Sequence, residues 1–154
     1  IIPGEIGLDA TLGYGGHSAE ILKHLAQGGH LYAVDVDPYE LPLTRDRLAA
    51  MGFGPEILTI KKMNFSGIDQ IAAEAGPLNF VLADLGVSSM QIDNPERGFS
   101  FKVEGPLDLR LNPKSGKSAA EFLKAVSESY LEEILTINSD EPYSEQIAEA
   151  IVSA

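Results

Sequence analysis

Apolar positions in the first 84 residues follow two alternating rhythms. Compact apolar runs at Gly7-Leu-Asp9, Leu31-Tyr-Ala-Val-Asp-Val-Asp37, Glu56 to Lys61 and Phe80-Val-Leu-Ala-Asp84 predict buried strands, and three of them close on an acid. Between them, helical spacing recurs at Ala19, Ile21, Leu22 and Leu25, across Leu41 to Met51, and at Ile68, Ile71, Ala72 and Ala75. Pro38 is placed for a helix start and Pro42 falls within the first turn, where a missing N–H is tolerated. Strands alternating with helices predict an α/β fold, a Rossmann-like doubly wound parallel sheet.

The rhythm stops at Leu85. From there to Lys117 the chain is rich in Gly, Pro, Ser and Asn and has no sustained period. Loops of this length inside folded domains are usually functional or disordered. Helical patterns resume at Ser118 to Val126, where Ser118 and Glu121 have capping-box spacing, and continue at Tyr130 to Ile137 and Tyr143 to Val152. Four strands are few for an open α/β sheet, and the last pattern stops mid-helix. Together with the opening Ile-Ile-Pro-Gly, which lacks a methionine, this points to a piece of a larger protein.

Composition changes the picture in two places. The 154 residues include no cysteine, which excludes disulfides, thiolate metal sites and cysteine nucleophiles. Hydrophobic content of 44%, with no apolar run near the roughly 20 residues of a membrane helix, suits a cytoplasmic protein away from membranes. Charge is the second: 11 Lys and Arg against 23 Asp and Glu give a formal −12. Nucleic-acid binders ordinarily present a basic face, so any RNA contact must use a local cluster, further segments or a partner.

The densest chemistry lies in Gly7-Leu-Asp-Ala-Thr-Leu-Gly-Tyr-Gly-Gly-His-Ser18, a strand, a glycine turn and a helix start. Gly13, Gly15 and Gly16 can take positive φ and bring backbone close to a ligand, and Ser18 is placed to cap the helix. The spacing is not the dinucleotide fingerprint, since its third glycine position falls on Ser18. Asp9 just ahead of the loop suits a cofactor with a positive end, which favours S-adenosylmethionine over a nicotinamide dinucleotide. Asp9, Asp35 and Asp84 fall at successive strand ends, where parallel sheets collect ligands, and Asp35 stands where a carboxylate meets ribose hydroxyls. Asp37 reads equally as an N-cap. His17 is either structural or a cofactor contact, and Phe65 either stacks on adenine or staples its helix. No metal site is expected. The segment Asp84-Leu-Gly-Val-Ser-Ser-Met-Gln-Ile-Asp-Asn-Pro-Glu-Arg-Gly-Phe-Ser-Phe101 sets Ser88, Ser89, Arg97, Phe99 and Phe101 in one loop, a composition that suits a planar ring. Lys102, Arg110, Lys114 and Lys117 form the one local basic concentration, able to meet a phosphate backbone.

These blocks resemble the MraW-type family of 16S rRNA cytosine-N4 methyltransferases. The likeness is carried by Asp9 to Ser18, by Ala33-Val-Asp-Val-Asp-Pro38, and by Asp84 onward through Glu96 to Phe101, Gly105-Pro-Leu-Asp-Leu-Arg110 and Ser118-Ala-Ala-Glu121. It spans nearly the whole chain but about half of a family member. The resemblance implies S-adenosylmethionine contacts at Gly15, Gly16, His17, Asp35, Phe65, Asp84 and Gln91. It also implies a cofactor-binding region at 1–112 that includes the motif loop 85–112, followed at 113–154 by the start of a helical substrate-recognition insertion. The implied partner is 16S rRNA in the small ribosomal subunit, and an open sheet edge leaves room for a homodimer. Asp84, with Ser88 and Ser89 beside it, is the expected catalytic group, and Arg97, Phe99, Phe101 and Arg110 the expected substrate contacts. One departure stands out: the family's basic helix is replaced by Tyr143-Ser-Glu-Gln-Ile-Ala-Glu-Ala-Ile-Val152. That change and the acidic charge favour, as an alternative, a related methyltransferase with another acceptor; the missing sheet strands favour a catalytically incomplete fragment that only binds cofactor or a partner.

Overall fold

β1 (Ile6–Asp9), β2 (His30–Asp35), β3 (Leu58–Lys62) and β4 (Phe80–Leu82) form one parallel sheet in the order β3-β2-β1-β4. They are seen in a computed structural model that describes residues 1–25 and 28–154. All four predicted runs are strands, but β2 and β4 each stop two residues before their last predicted acid. β4 ends early because the Asp84 N–H donates to the Thr11 hydroxyl (2.8 Å) and so leaves the ladder. β2 ends at Asp35, whose carboxylate accepts the Asp37 N–H (2.8 Å) and turns the chain.

Alternation along β2 divides the core. Leu31 and Ala33 pack with Leu12, Ile21, Leu22 and Leu25 of the first loop and α1 (Gly16–Leu25), and with Leu48 of α2 (Glu40–Ala50). Val34, with Leu8 of β1, faces the other way onto Ile71 of α3 (Ile68–Ala75). Helices therefore cover both faces, and the sheet is doubly wound and Rossmann-like. Each such leucine or isoleucine, when fully buried, contributes about 1.5–3 kcal/mol. Pro42 does sit in the first turn of α2, and buried Asp37 accepts the N–H groups of Tyr39 (2.9 Å) and Glu40 (3.3 Å) at that helix start.

The chain divides into two compact units, Ile1–Met90 and Gln91–Ala154. A short helix, α4 (Ser89–Asp93), runs across the division in sequence. The second unit begins with an irregular segment that is folded upon itself. Gly98, at φ +71°, lies against the Pro106 carbonyl, and Gly105 against that of Pro95, so closely that a Cβ at either position would collide with backbone. The amides of Ala119 and Ala120 donate to the carbonyls of Asp108 and Leu107 (2.8 Å each), which fastens the segment to the start of α5 (Ala119–Leu123). Leu109 is held at φ +62°, a conformation bulky residues avoid. The capping box forms as predicted: Ser118 Oγ accepts the Glu121 N–H (3.2 Å) and the Glu121 carboxylate accepts the Ser118 N–H (2.8 Å). α5 stops at Leu123, short of Val126, because Ser127 starts a new helix, α6 (Glu128–Ser139), by accepting the Tyr130 N–H (3.3 Å). α6 and α7 (Ser144–Val152) bury Leu131 and Ala148 and are tied by the Thr136 hydroxyl donating to that of Ser144 (2.8 Å).

Candidate functional site

The carboxyl ends of β1, β2 and β4 lie side by side, with Asp9 in register with Ala33 and with Leu82. The chain leaving β1 is tied to both neighbours: the Ala10 N–H donates to the Leu82 carbonyl (2.8 Å) and the Leu12 N–H to that of Val34 (3.0 Å). The glycine loop thus starts from a fixed base. Gly13 (φ +47°) and Gly15 (φ +83°) take the predicted left-handed conformation, whereas Gly16 does not; it is the first residue of α1. The Asp35 carboxylate accepts the Gly13 N–H (2.7 Å), so the end of β2 grips the loop directly.

Two readings of this segment need correction. Ser18 is no cap, because α1 begins two residues before it; its buried hydroxyl donates instead to Asp9 (2.7 Å). Asp9 does not face a ligand. It is 1% exposed, and its other carboxylate oxygen accepts the Thr11 N–H (3.0 Å). A buried carboxylate is costly unless hydrogen-bonded, and here its bonds hold loop and helix together.

His17 and Asp84 come together as outward-facing groups. Nδ1 of His17 lies 3.6 Å from Oδ2 of Asp84, and both side chains are about two-thirds exposed. Thr11 sets this pairing, since its hydroxyl fixes the Asp84 amide. Phe65 is exposed in a single turn after β3, which Asn64 opens by accepting the Ser66 N–H (2.8 Å). Ser88 is half-buried and Ser89 is the exposed first residue of α4.

The remaining expected site residues belong to the second unit. Gln91 is buried. Arg97 is also buried, with Nη2 donating to the carbonyls of Arg110 (3.1 Å) and Leu111 (2.8 Å) and its guanidinium 5.8 Å from the Phe99 ring centroid. Arg110 grips Asp108 through two bonds (2.8 and 2.5 Å) and donates to the Gly116 carbonyl (2.9 Å). That side-chain bond from Arg110 holds the Asp108 carboxyl down at about 2. Both arginines, expected at the substrate, are thus bound to carbonyls and an acid of their own loop. Phe101, by contrast, is 96% exposed.

Sequence reasoning missed Thr11, Thr44 and Arg47. Thr44 Oγ1 donates to the Gly13 carbonyl (2.7 Å) and Arg47 Nη1 to that of Tyr14 (2.6 Å), so α2 holds the glycine loop from outside. Thr11 stood inside the informative segment; the two α2 residues carry no local signal, because their partners lie more than 30 positions away in the chain.

A parallel, doubly wound sheet with a glycine loop and carboxylates gathered at its carboxyl edge defines a Rossmann-like domain of the kind methyltransferases use. Comparison with known proteins narrows this class. The chain belongs to the MraW methylase family, which it matches over residues 2–154. It is 69% identical over 153 residues to the ribosomal RNA small subunit methyltransferase H 2 of Alkaliphilus metalliredigens, covering 99% of this chain and 44% of that protein. It is 65% identical over 153 residues to the ribosomal RNA small subunit methyltransferase H 1 of Lachnoclostridium phytofermentans, covering 99% and 42%. The chain therefore spans less than half the length of these curated relatives. Among the described residues no helix is long and apolar enough to cross a membrane.

Proposed function

We propose that this chain carries the cofactor-binding part of an S-adenosylmethionine-dependent methyltransferase that acts on the exocyclic N4 amine of a cytidine in small-subunit 16S rRNA. Family membership and the names of its relatives support the reaction class. Gly16 is the observation that best supports a ligand at the loop. The fold itself explains Gly15, which has positive φ and would drive a Cβ to 2.7 Å from Thr44 Cγ2. Among the described residues nothing crowds Gly16, the first residue of α1: beyond its chain neighbours and its own helix backbone, a Cβ there would meet no atom within 4 Å. The backbone at this first helical position does not call for glycine, so the space left open there suits a molecule lying against the backbone.

The residues fit such a cofactor. Gly15, Gly16 and His17 would hold it at the start of α1, Asp35 would take ribose hydroxyls on its remaining lone pairs, Phe65 would offer a ring face to adenine, and Asp84 would complete the contacts of this unit. S-adenosylmethionine would supply an electrophilic methyl group on a good leaving group. The chain's own task is positioning. Asp84, exposed and steadied by Thr11, accepts an N–H hydrogen of the incoming amine, which localises its lone pair and later takes the proton. Ser88 and Ser89 flank it. Phe99 and Phe101 offer stacking faces to a base, on a loop that Arg97 and Arg110 hold in shape. The protein acts in the cytoplasm on the small ribosomal subunit.

Calorimetry on the full-length protein tests the cofactor. S-adenosylhomocysteine should bind and NAD should not. Gly16→Ala should keep or slightly raise the melting temperature while weakening S-adenosylhomocysteine roughly tenfold or more, about 1.4 kcal/mol. Equal binding by the variant would remove the support drawn from Gly16. In a methylation assay on small-subunit rRNA, Asp84→Asn should lower kcat on the order of 10²-fold; full turnover would dismiss its acceptor role. The −12 charge favours a second reading, a different methyl acceptor, and cofactor binding without transfer to rRNA would favour it over the first.

A further inference from the structure

We infer that Arg47, working with Thr44, is a positioning residue that pre-orders the glycine loop for its cofactor, an assignment that rests on the reading of residues 13–17 given above. Three of the four residues from 13 to 16 are glycine. Such a segment loses more conformational entropy on ordering than any other, and a loop ordered only on binding would weaken affinity by that amount. α2 removes the problem beforehand. Thr44, fully buried, fixes the Gly13 carbonyl. Arg47, three residues on and so on the same face of the helix, fixes the next carbonyl, that of Tyr14, and also donates to Thr44 Oγ1 (3.1 Å).

Arg47 holds residue 14 a second way. Its guanidinium carbon stands 3.5 Å from the centroid of the Tyr14 ring, a cation–π stack, so one side chain clasps both the backbone and the side chain of the loop tip. On the other side Asp35 holds the Gly13 amide, and the Gly15 amide donates to the Leu12 carbonyl (2.8 Å). The Gly13 amide and carbonyl, the Tyr14 carbonyl and the Gly15 amide are thereby bonded within the protein, which sets the Gly15–His17 stretch on a fixed base for the ligand. Stacking while donating to a carbonyl requires the planar fork of arginine, which lysine does not have. Arg47 bonds to residues 14 and 44 rather than to Gly16, so it acts through the loop.

The test uses Arg47→Met, Arg47→Lys and Tyr14→Leu in the full-length protein. Amide hydrogen exchange on the ligand-free protein should show the Gly15 amide exchanging roughly tenfold faster in Arg47→Met, while core amides such as those of Leu31 and Ala33 are unchanged. Calorimetry should show S-adenosylhomocysteine binding about tenfold weaker, and kinetics should show the rise in the cofactor KM with kcat kept. Arg47→Lys should recover only part of the loss, and Tyr14→Leu should produce a smaller loss than Arg47→Met. Wild-type binding with Arg47→Met unchanged in exchange or in affinity overturns the inference alone. If the wild type does not bind S-adenosylhomocysteine, the cofactor reading fails, and faster exchange in Arg47→Met would then identify only a brace for a loop with another task.

Discussion

Asp9 and Asp35 show how one residue type at one kind of position serves opposite ends. Both close a strand, yet Asp9 turns inward to Thr11 and Ser18 while Asp35 reaches across to the glycine loop. Strand-end placement was legible from the residues; direction was not, because it is set by which hydroxyl or amide arrives from elsewhere in the chain. The same holds for Ser18, whose partner is nine residues upstream rather than in its own helix turn. Asp108 offers a clean test at this scale. Its carboxyl is lowered from 3.8 to about 2, chiefly by the side-chain bond from Arg110. A depressed carboxyl stabilises the folded state above its unfolded pKa, and that contribution fades as pH falls from near 4 through about 2. A carboxyl-carbon NMR titration of Asp108 should therefore show a midpoint near 2, returning toward 3.8 in Arg110→Gln.

Among the elements, strands and helices with a strong period were readable, and they were right in type with ends shifted by a few residues. The segment after β4 was readable only as a loop with unusual composition. Its shape comes from pairings such as Gly98 against Pro106 and Arg97 with Arg110, which leave no periodic trace. Local capping chemistry was readable where it is truly local. Ser118 and Glu121 lie three apart and bond reciprocally. Ser118→Ala should thus cost about 1 kcal/mol, measured as a lower denaturation midpoint with an unchanged denaturant slope, and Ser118→Asp should restore most of it.

For the molecule as a whole, the family resemblance was carried by blocks from both units and agrees with the match over residues 2–154. Net charge governs the behaviour toward nucleic acid. Arg97 and Arg110 are engaged within their loop, while Lys102, Lys114 and Lys117 are exposed near it in sequence. If all three met phosphates of a single strand, log K should fall against log salt with a slope of about −2 at most. A titration of this 154-residue chain with a cytidine-containing RNA at several salt concentrations checks this; a steeper slope would require a basic surface not accounted for by these lysines.

Leu109 carries a consequence of its own. A branched side chain in left-handed backbone sits about 1–2 kcal/mol above its relaxed form, so its shape is imposed by the bonds on either side of it, from Arg97, Arg110 and the first amides of α5. It behaves like a drawn spring with an outward-facing tip, 46% exposed. Any lesion that slackens those bonds will register there first, and the backbone carbon shifts of this one leucine serve as a gauge of whether the surrounding motif is still assembled.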